Sequence, residues 1–196
     1  MSDQWKNVSG NTQLSDDEQQ ALKPSYITTQ TELNAAEQDN ILKAELWCIQ
    51  RHRSLRQLLS ERFIRQLHKK MADDVWQWAG QYRVSDKNIG VPHYQIREQL
   101  QQLLADVTYW IEHQTYSMDE IAIRFHHRLV AIHPFPNLNG RHARLMADLL
   151  IRALGGKRFH WGGRPLNAGD ARNDYIQALQ SADAGNIGPL LRIVRQ

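Results

Sequence analysis

Two apolar stripes at helical spacing run through residues 121–153, and the polar stretch HPFPNLNGRHAR (133–144) stands between them. Ile121, Phe125, Leu129 and Ile132 recur every three or four residues, which predicts a helix with one buried face. Pro134 disfavours the α conformation in the residue before it, so this helix is expected to end at His133. A second helix is expected to open at Asn139-Gly140, with Leu145, Leu149 and Ala153 toward the core and Arg141, Arg144 and Asp148 along one edge. A helix, a stiff proline corner and a second helix commit the centre of the chain to helix packing.

The corner itself carries chemistry. A helix C-terminus favours imidazolium, a useful bias at His133 for a group that must accept a proton. Pro134 and Pro136 stiffen the loop, and Phe135 between them reads as a core anchor. The first turn of the next helix offers unpaired N–H groups and a positive dipole end, where Asp or Glu is the usual choice. Here the chain supplies Arg141, His142 and Arg144. Each positive side chain there costs a few tenths to about 1 kcal/mol, which makes sense if an anion occupies the site, polyphosphate above all. Either arginine alone reads as solvated charge; the whole constellation does not.

The remainder of the chain is helical in pattern. Residues 1–25 are polar and read as an irregular leader, followed by one domain over 26–196. Thr29 and Glu32 form a capping box before Leu33, Ala36, Ile41, Ala44 and Trp47. A helix from Ser60 carries Phe63, Ile64, Leu67, His68 and Met71, and leads to Trp76 and Trp78 as core anchors. Residues 81–94 (QYRVSDKNIGVPHY) mix turn formers with β-prone pieces and read as a hairpin flap. Ile96 to Ile111 returns to helical period, Ser117 and Glu120 cap the first stripe helix, and Gly155-Gly156 stops the second. One or two helices around 170–194 complete an all-α, mainly helical bundle with a small β-hairpin flap.

Composition excludes several classes. With 41% apolar and 23% charged residues, the chain has the make-up of a soluble globular protein. A net charge of +3 suits an anionic ligand but makes no case for nucleic acid. The lone Cys48 rules out a disulfide within the chain and fits a reducing cytosol, and with no signal-like N-terminus and no run of 18 apolar residues the expected location is cytoplasmic. His126 and His127 lack zinc-site spacing and read as core or helix-surface histidines. GGKR at 155–158 lacks the P-loop pattern, and WGGRPL at 161–166 reads as a turn packing Trp161, with Arg164 left undecided.

The corner resembles the signature of the Fic (filamentation-induced-by-cAMP) family, His-x-Phe-x-Asp/Glu-Gly-Asn-Gly/Lys-Arg-x-x-Arg. This chain carries His133, Phe135, Asn137, Leu138, Asn139, Gly140, Arg141 and Arg144 at those positions. WAGQYR, the NIG turn and the preceding helix also resemble the Fic core over roughly residues 40–195. HHRLVAIHPFPN and GRHARLMADLL are similar to segments of the mobile mystery protein B subfamily. The resemblance implies a nucleotidyltransferase that moves AMP from ATP onto a Ser, Thr or Tyr hydroxyl of a target protein. His133 would be the general base, with Asn139, Gly140, Arg141 and Arg144 holding the phosphates. The flap would align the target by strand addition.

The chain departs from the signature at two adjacent positions. Asn137 replaces the acid that holds Mg²⁺ on the nucleotide, so it is a candidate ligand without charge, and metal affinity should fall. Leu138 replaces the first glycine; at positive φ it would cost about 1–2 kcal/mol, and its side chain would intrude on the pocket. The resemblance also implies restraint, either by a Glu on an inhibitory helix, for which Glu32 after Thr28 is the near match, or by a separate antitoxin protein. A toxin-like bacterial enzyme, attenuated by Asn137 and Leu138, is the first reading. A catalytically weak nucleotide-binding or regulatory module of the same fold is the alternative.

Overall fold

Among the described residues, serine or threonine opens five helices, and each does so with its side-chain oxygen on the backbone N–H three residues on. Ser15, Thr29, Ser54, Ser60 and Ser117 are these caps. In the computed structural model, residues 15–51, 53–163 and 169–196 are described. The helices are α1 (Asp16–Gln20), α2 (Gln30–Ile49), α3 (Leu55–Leu58), α4 (Glu61–Ala72), α5 (Ile96–Glu112), α6 (Met118–Ile132), α7 (Asn139–Ala153), α8 (Gly169–Asp183) and α9 (Gly188–Ile193). Helices α6 and α7 pack on each other, with α5 against α6; α2 packs on α4, and α8 on α9. Residues 16–20 form a helix where the sequence suggested irregular chain, because Ser15 and Glu18 cap each other reciprocally. The rest of the expected leader, residues 1–14, lies outside the described residues, as does Arg164.

Two apolar clusters hold the bundle. The larger is built on Ile64, Leu67, Leu100, Leu103, Phe125, Leu129 and Phe135, all essentially sealed from solvent. The smaller joins Ile27 and Leu33 to Trp76 and Trp78, whose rings stack 4.8 Å apart. The inner face of α7 is Ala143, Met146, Ala147 and Leu150 rather than the expected Leu149 and Ala153, which are half-buried and exposed. Asp148 is buried on α7, where its carboxylate accepts hydrogen bonds from Trp161 Nε1 at 3.0 Å and Arg158 Nε at 2.8 Å. No helix among the described residues is long and apolar enough to cross a membrane.

The expected hairpin flap does not form. Among the described residues there is no strand, only an isolated antiparallel bridge between Leu22 and Trp76. The reason is a single buried side chain. Arg83 lies inside the 81–92 loop, where its guanidinium donates to the Ser85 carbonyl at 2.9 Å and to the Val91 carbonyl. Asp86 similarly takes the His93 N–H at 2.7 Å. Side chains thus satisfy backbone groups that a strand ladder would have paired, and the loop curls around Arg83.

Candidate active site

Helix α6 ends as Pro134 requires. His133 is its C-cap, in the left-handed region at φ 52° and ψ 60°, a conformation that costs a non-glycine residue about 1–2 kcal/mol. The loop of residues 81–92 offsets that cost by satisfying the last carbonyls of the helix. Arg83 Nε donates to the His133 carbonyl at 2.7 Å, and the Arg83 backbone N–H donates to the Pro134 carbonyl at 3.0 Å. The Val91 N–H reaches the Ile132 carbonyl at 3.4 Å. Gly90, at φ 103°, presses against the histidine so closely that a Cβ there would stand 2.7 Å from His133 Cβ. Only glycine fits.

His133 is 4% exposed. Burial, and then the positive charges of Arg83 and Lys87, hold its imidazole at about 4. The helix C-terminus was expected to favour imidazolium; desolvation and two cations outweigh it. The ring is therefore neutral at physiological pH, the state in which it can accept a proton.

Phe135 is the core anchor the sequence suggested, stacked on His68 with ring centroids 3.7 Å apart. Asn139 turns out to be the brace of the corner. Its Oδ1 accepts the Phe135 N–H at 2.9 Å and its Nδ2 donates to the Phe135 carbonyl at 2.8 Å. With both ends of its amide so used, the Asn139 side chain shapes the loop, and only its backbone N–H is available toward a phosphate. His68 ties the same corner to α4, with Nε2 3.1 Å from the Asn137 carbonyl and Nδ1 accepting the Gly80 N–H at 3.0 Å.

Helix α7 opens without a side-chain cap on its first turn. Gly140 leaves that end open: a Cβ at this position would meet Arg144 Nη1 at 3.7 Å. The Arg144 guanidinium thus lies beside Gly140 in the first turn of α7, within reach of an anion held at that helix N-terminus. Arg141 donates from Nη2 to Glu37 Oε2 at 2.6 Å. Glu37 is buried on α2, and its other oxygen accepts from Trp76 Nε1 at 2.9 Å. Part of the negative charge that the two arginines call for therefore comes from the protein itself.

Glu32, the sequence candidate for an inhibitory role, is elsewhere. It sits exposed at the start of α2, accepting the N–H groups of Thr28 and Thr29 at 2.8 and 2.9 Å, which holds its carboxyl below the usual range. It is a helix cap, and Glu37 is the carboxylate that reaches the motif. The sequence did hold a signal for it, since Glu37 lies four residues after Leu33 and four before Ile41, inside the apolar stripe of α2. Arg83 left a fainter one, an arginine directly after the aromatic run WAGQY.

Leu138 does occupy positive φ, at 65°. Its side chain, however, is buried in the smaller cluster that also holds Leu33, Trp76 and Trp78. It does not fill the pocket; it fastens the corner to α2. Leu138→Gly is accordingly expected to destabilise the protein by about 2–4 kcal/mol, lost burial outweighing relief of the left-handed strain. Urea unfolding checks the loss, and calorimetry should find ATP affinity within two-fold or so of the parent.

Asn137 fits a resident metal poorly. Its Oδ1 already accepts the Leu138 N–H at 2.7 Å, and no group of three metal-binding side chains gathers among the described residues. One neutral oxygen is a thin donor set for Mg²⁺.

Residues 58–151 match the model of the Fic/DOC family. Over 124 residues the chain is 32% identical to protein adenylyltransferase fic-1 of Caenorhabditis briggsae, covering 59% of this chain and 22% of that protein. The chain thus spans about a fifth of the length of the curated relatives it matches (22% for two of them). In fold it is similar to the N-terminal Fic domain of Bep8 from Bartonella sp. 1-1C, at a TM-score of 0.71 and 15% identity, covering 89% of this chain and 88% of that one. It is also similar to BepC of Bartonella tribocorum with bound AMPPNP, at a TM-score of 0.66 and 20% identity over 92% and 96% of the two chains. Glu37 lies before the matched segment, and the corner from His133 to Arg144 lies wholly within it.

Proposed function

We propose that this Fic domain transfers AMP from ATP to a hydroxyl side chain of a target protein. The observation that carries the reading is the pairing of a buried, neutral His133 with the uncapped, arginine-flanked start of α7, on either side of one braced corner. The names of the curated relatives and the AMPPNP bound to BepC support it. In the reaction the His133 imidazole takes the proton of a Ser, Thr or Tyr hydroxyl as its oxygen attacks the α-phosphate. The bond from the α-phosphorus to the bridging oxygen breaks, and pyrophosphate leaves with its charge met by Arg141, Arg144 and the N–H groups of Asn139 and Gly140. ATP enters as its Mg²⁺ complex, so the ion comes with the substrate. Val84 and Ile89, exposed on the loop beside His133, offer the target a wet apolar edge in place of a strand. A cytoplasmic, toxin-like setting, a separate antitoxin protein and membership of the mobile mystery protein B subfamily belong to the same reading.

The test is label position. Incubated with cell lysate, the protein is expected to mark a protein band from ATP labelled at the α-phosphate and none from ATP labelled at the γ-phosphate. Label from the γ position, or from neither, defeats the proposal.

The Glu37–Arg141 ion pair favours a second state of the same site, in which α2 withholds Arg141 from the nucleotide and the domain binds ATP weakly. Glu37→Gln keeps the size of the side chain and an oxygen for Trp76 while removing the charge. It is expected to tighten ATP binding about ten-fold and to raise labelling at least as much. Unchanged affinity in a folded variant would leave Glu37 a purely structural partner.

A further inference from the structure

Arg83 joins the end of α6 to the 81–92 loop, and the reaction as drawn above gives it no part. Its side chain has no exposed surface, although Val84 and Asp86 beside it in the loop are exposed. Nε donates to the His133 carbonyl at 2.7 Å, and Nη2 lies 3.4 Å from the Ile132 carbonyl, so the guanidinium holds the last turn of α6. Nη1 donates to the Ser85 carbonyl at 2.9 Å and Nη2 to the Val91 carbonyl, so the same group holds the loop. Asp86 stands 3.6 Å from Nη1 on the exposed side. Taking this cation out of water is costly, and carbonyl oxygens offset the cost more than any buried carboxylate does.

A guanidinium suits the task because its five donors lie in one plane and point in fixed directions. Four carbonyls on two segments are thereby held in one arrangement, which an ammonium on a flexible stem does not impose. The arrangement bears directly on the imidazole. His133 is in the left-handed region, at φ 52° and ψ 60°. The Arg83 Nε bond fixes the direction of its carbonyl, and with it that ψ. Relaxation toward the right-handed region would swing Cβ and the ring out of the corner. Gly90 packs against both residues: a Cβ there would stand 2.7 Å from His133 Cβ and 2.8 Å from Arg83 Nη2. The charge of Arg83 also opposes imidazolium, with Lys87, paired to Glu18, as the other cation facing the ring.

We infer that Arg83 is a positioning residue for the transfer: through the His133 backbone it fixes the imidazole relative to the loop on which the target lies. Base and target-bearing segment are then held as one unit. The inference rests on the transferase reading of the site, and Arg83 itself is assigned no contact with nucleotide or hydroxyl.

Arg83→Met and Arg83→Lys test it, by labelling of lysate protein from ATP labelled at the α-phosphate over a range of ATP concentration and pH. Calorimetry reports ATP binding and urea unfolding reports the fold. Arg83→Met removes both the fork and the charge. Its apparent kcat is expected to fall about a hundred-fold, the scale for a base displaced by about 1 Å, with KM and Kd for ATP within about two-fold of the parent. Its rate should also be about two-fold lower at pH 6 than at pH 7.5, where the parent is level, because loss of the neighbouring charge lets the imidazole take up a proton. Arg83→Lys keeps the charge without the fork, so its profile should stay level while kcat still falls. A merely structural side chain would move the urea midpoint and leave the turnover and pH profile of the folded protein unchanged. That result overturns the inference, as would a loss of ATP affinity equal to the loss of rate, or failure of both variants to fold. Absence of label with the parent removes the transferase reading and the inference with it. Equal labelling by the parent and both folded variants removes the inference alone.

Discussion

Replacing His133 with alanine is expected to lower AMP transfer by about two to four orders of magnitude, the usual contribution of a general base. Nucleotide binding should survive, because the proposed phosphate contacts come from α7. The environment makes a second demand. An imidazole held at about 4 is neutral throughout the physiological range, so transfer should be flat from pH 7 to 8.5, with no titration near the ordinary histidine value. Steady-state rates with α-labelled ATP measure both. Equal labelling by parent and variant would exclude His133 as the base. A rate that climbs ten-fold across that range would show that another group takes the proton.

Mild acid is expected to unfold the protein. Among the described residues four histidines are buried, and burial is the first cause that holds each below its ordinary value: His68 well below, His126 at about 3, and His133 and His142 at about 4. Above pH 6.5 they are neutral in the folded and unfolded chain alike, and stability does not vary on their account. As pH falls through 6.5 the unfolded chain takes up protons that the folded chain refuses, so stability falls until the folded values are reached. For His133 and His142 the penalty approaches about 3 kcal/mol each, taking 1.36 kcal/mol per unit. The carboxyl of Asp148, raised by its burial, works in the opposite direction but is a single group. The urea midpoint should be level between pH 8 and 7, drop steeply below 6.5, and vanish near pH 5 for a domain of ordinary stability. His142→Gln should flatten the slope by about one proton. A midpoint constant down to pH 5 would contradict the burial of these rings.

The legible parts of the fold were those written in local rules. Caps at Thr29, Ser60 and Ser117, the proline after His133 and the glycines after α7 each act within one turn of the chain, and each lies where its rule puts it. Residues 81–94 do not form the expected hairpin, because β-prone residues and turn formers make one only if no side chain claims the backbone groups first. Arg83 does claim them. Leu138 shows the same division: its positive φ followed from its position, while the burial of its side chain depended on a cluster built from residues far away in sequence, between Ile27 and Ala79.

The sequence by itself determined the helical class, the end of α6 at His133 and the two arginines at the start of α7. Neighbour-to-neighbour sterics and helix-end electrostatics settle those features before anything packs. Tertiary structure alone decided that His133 would be neutral, that Asn139 would brace the loop instead of facing a ligand, and that Glu37 would hold Arg141. Those outcomes depend on desolvation and on partners brought from α2, α4 and the 81–92 loop, and neither burial nor a distant partner is encoded in any local stretch of chain.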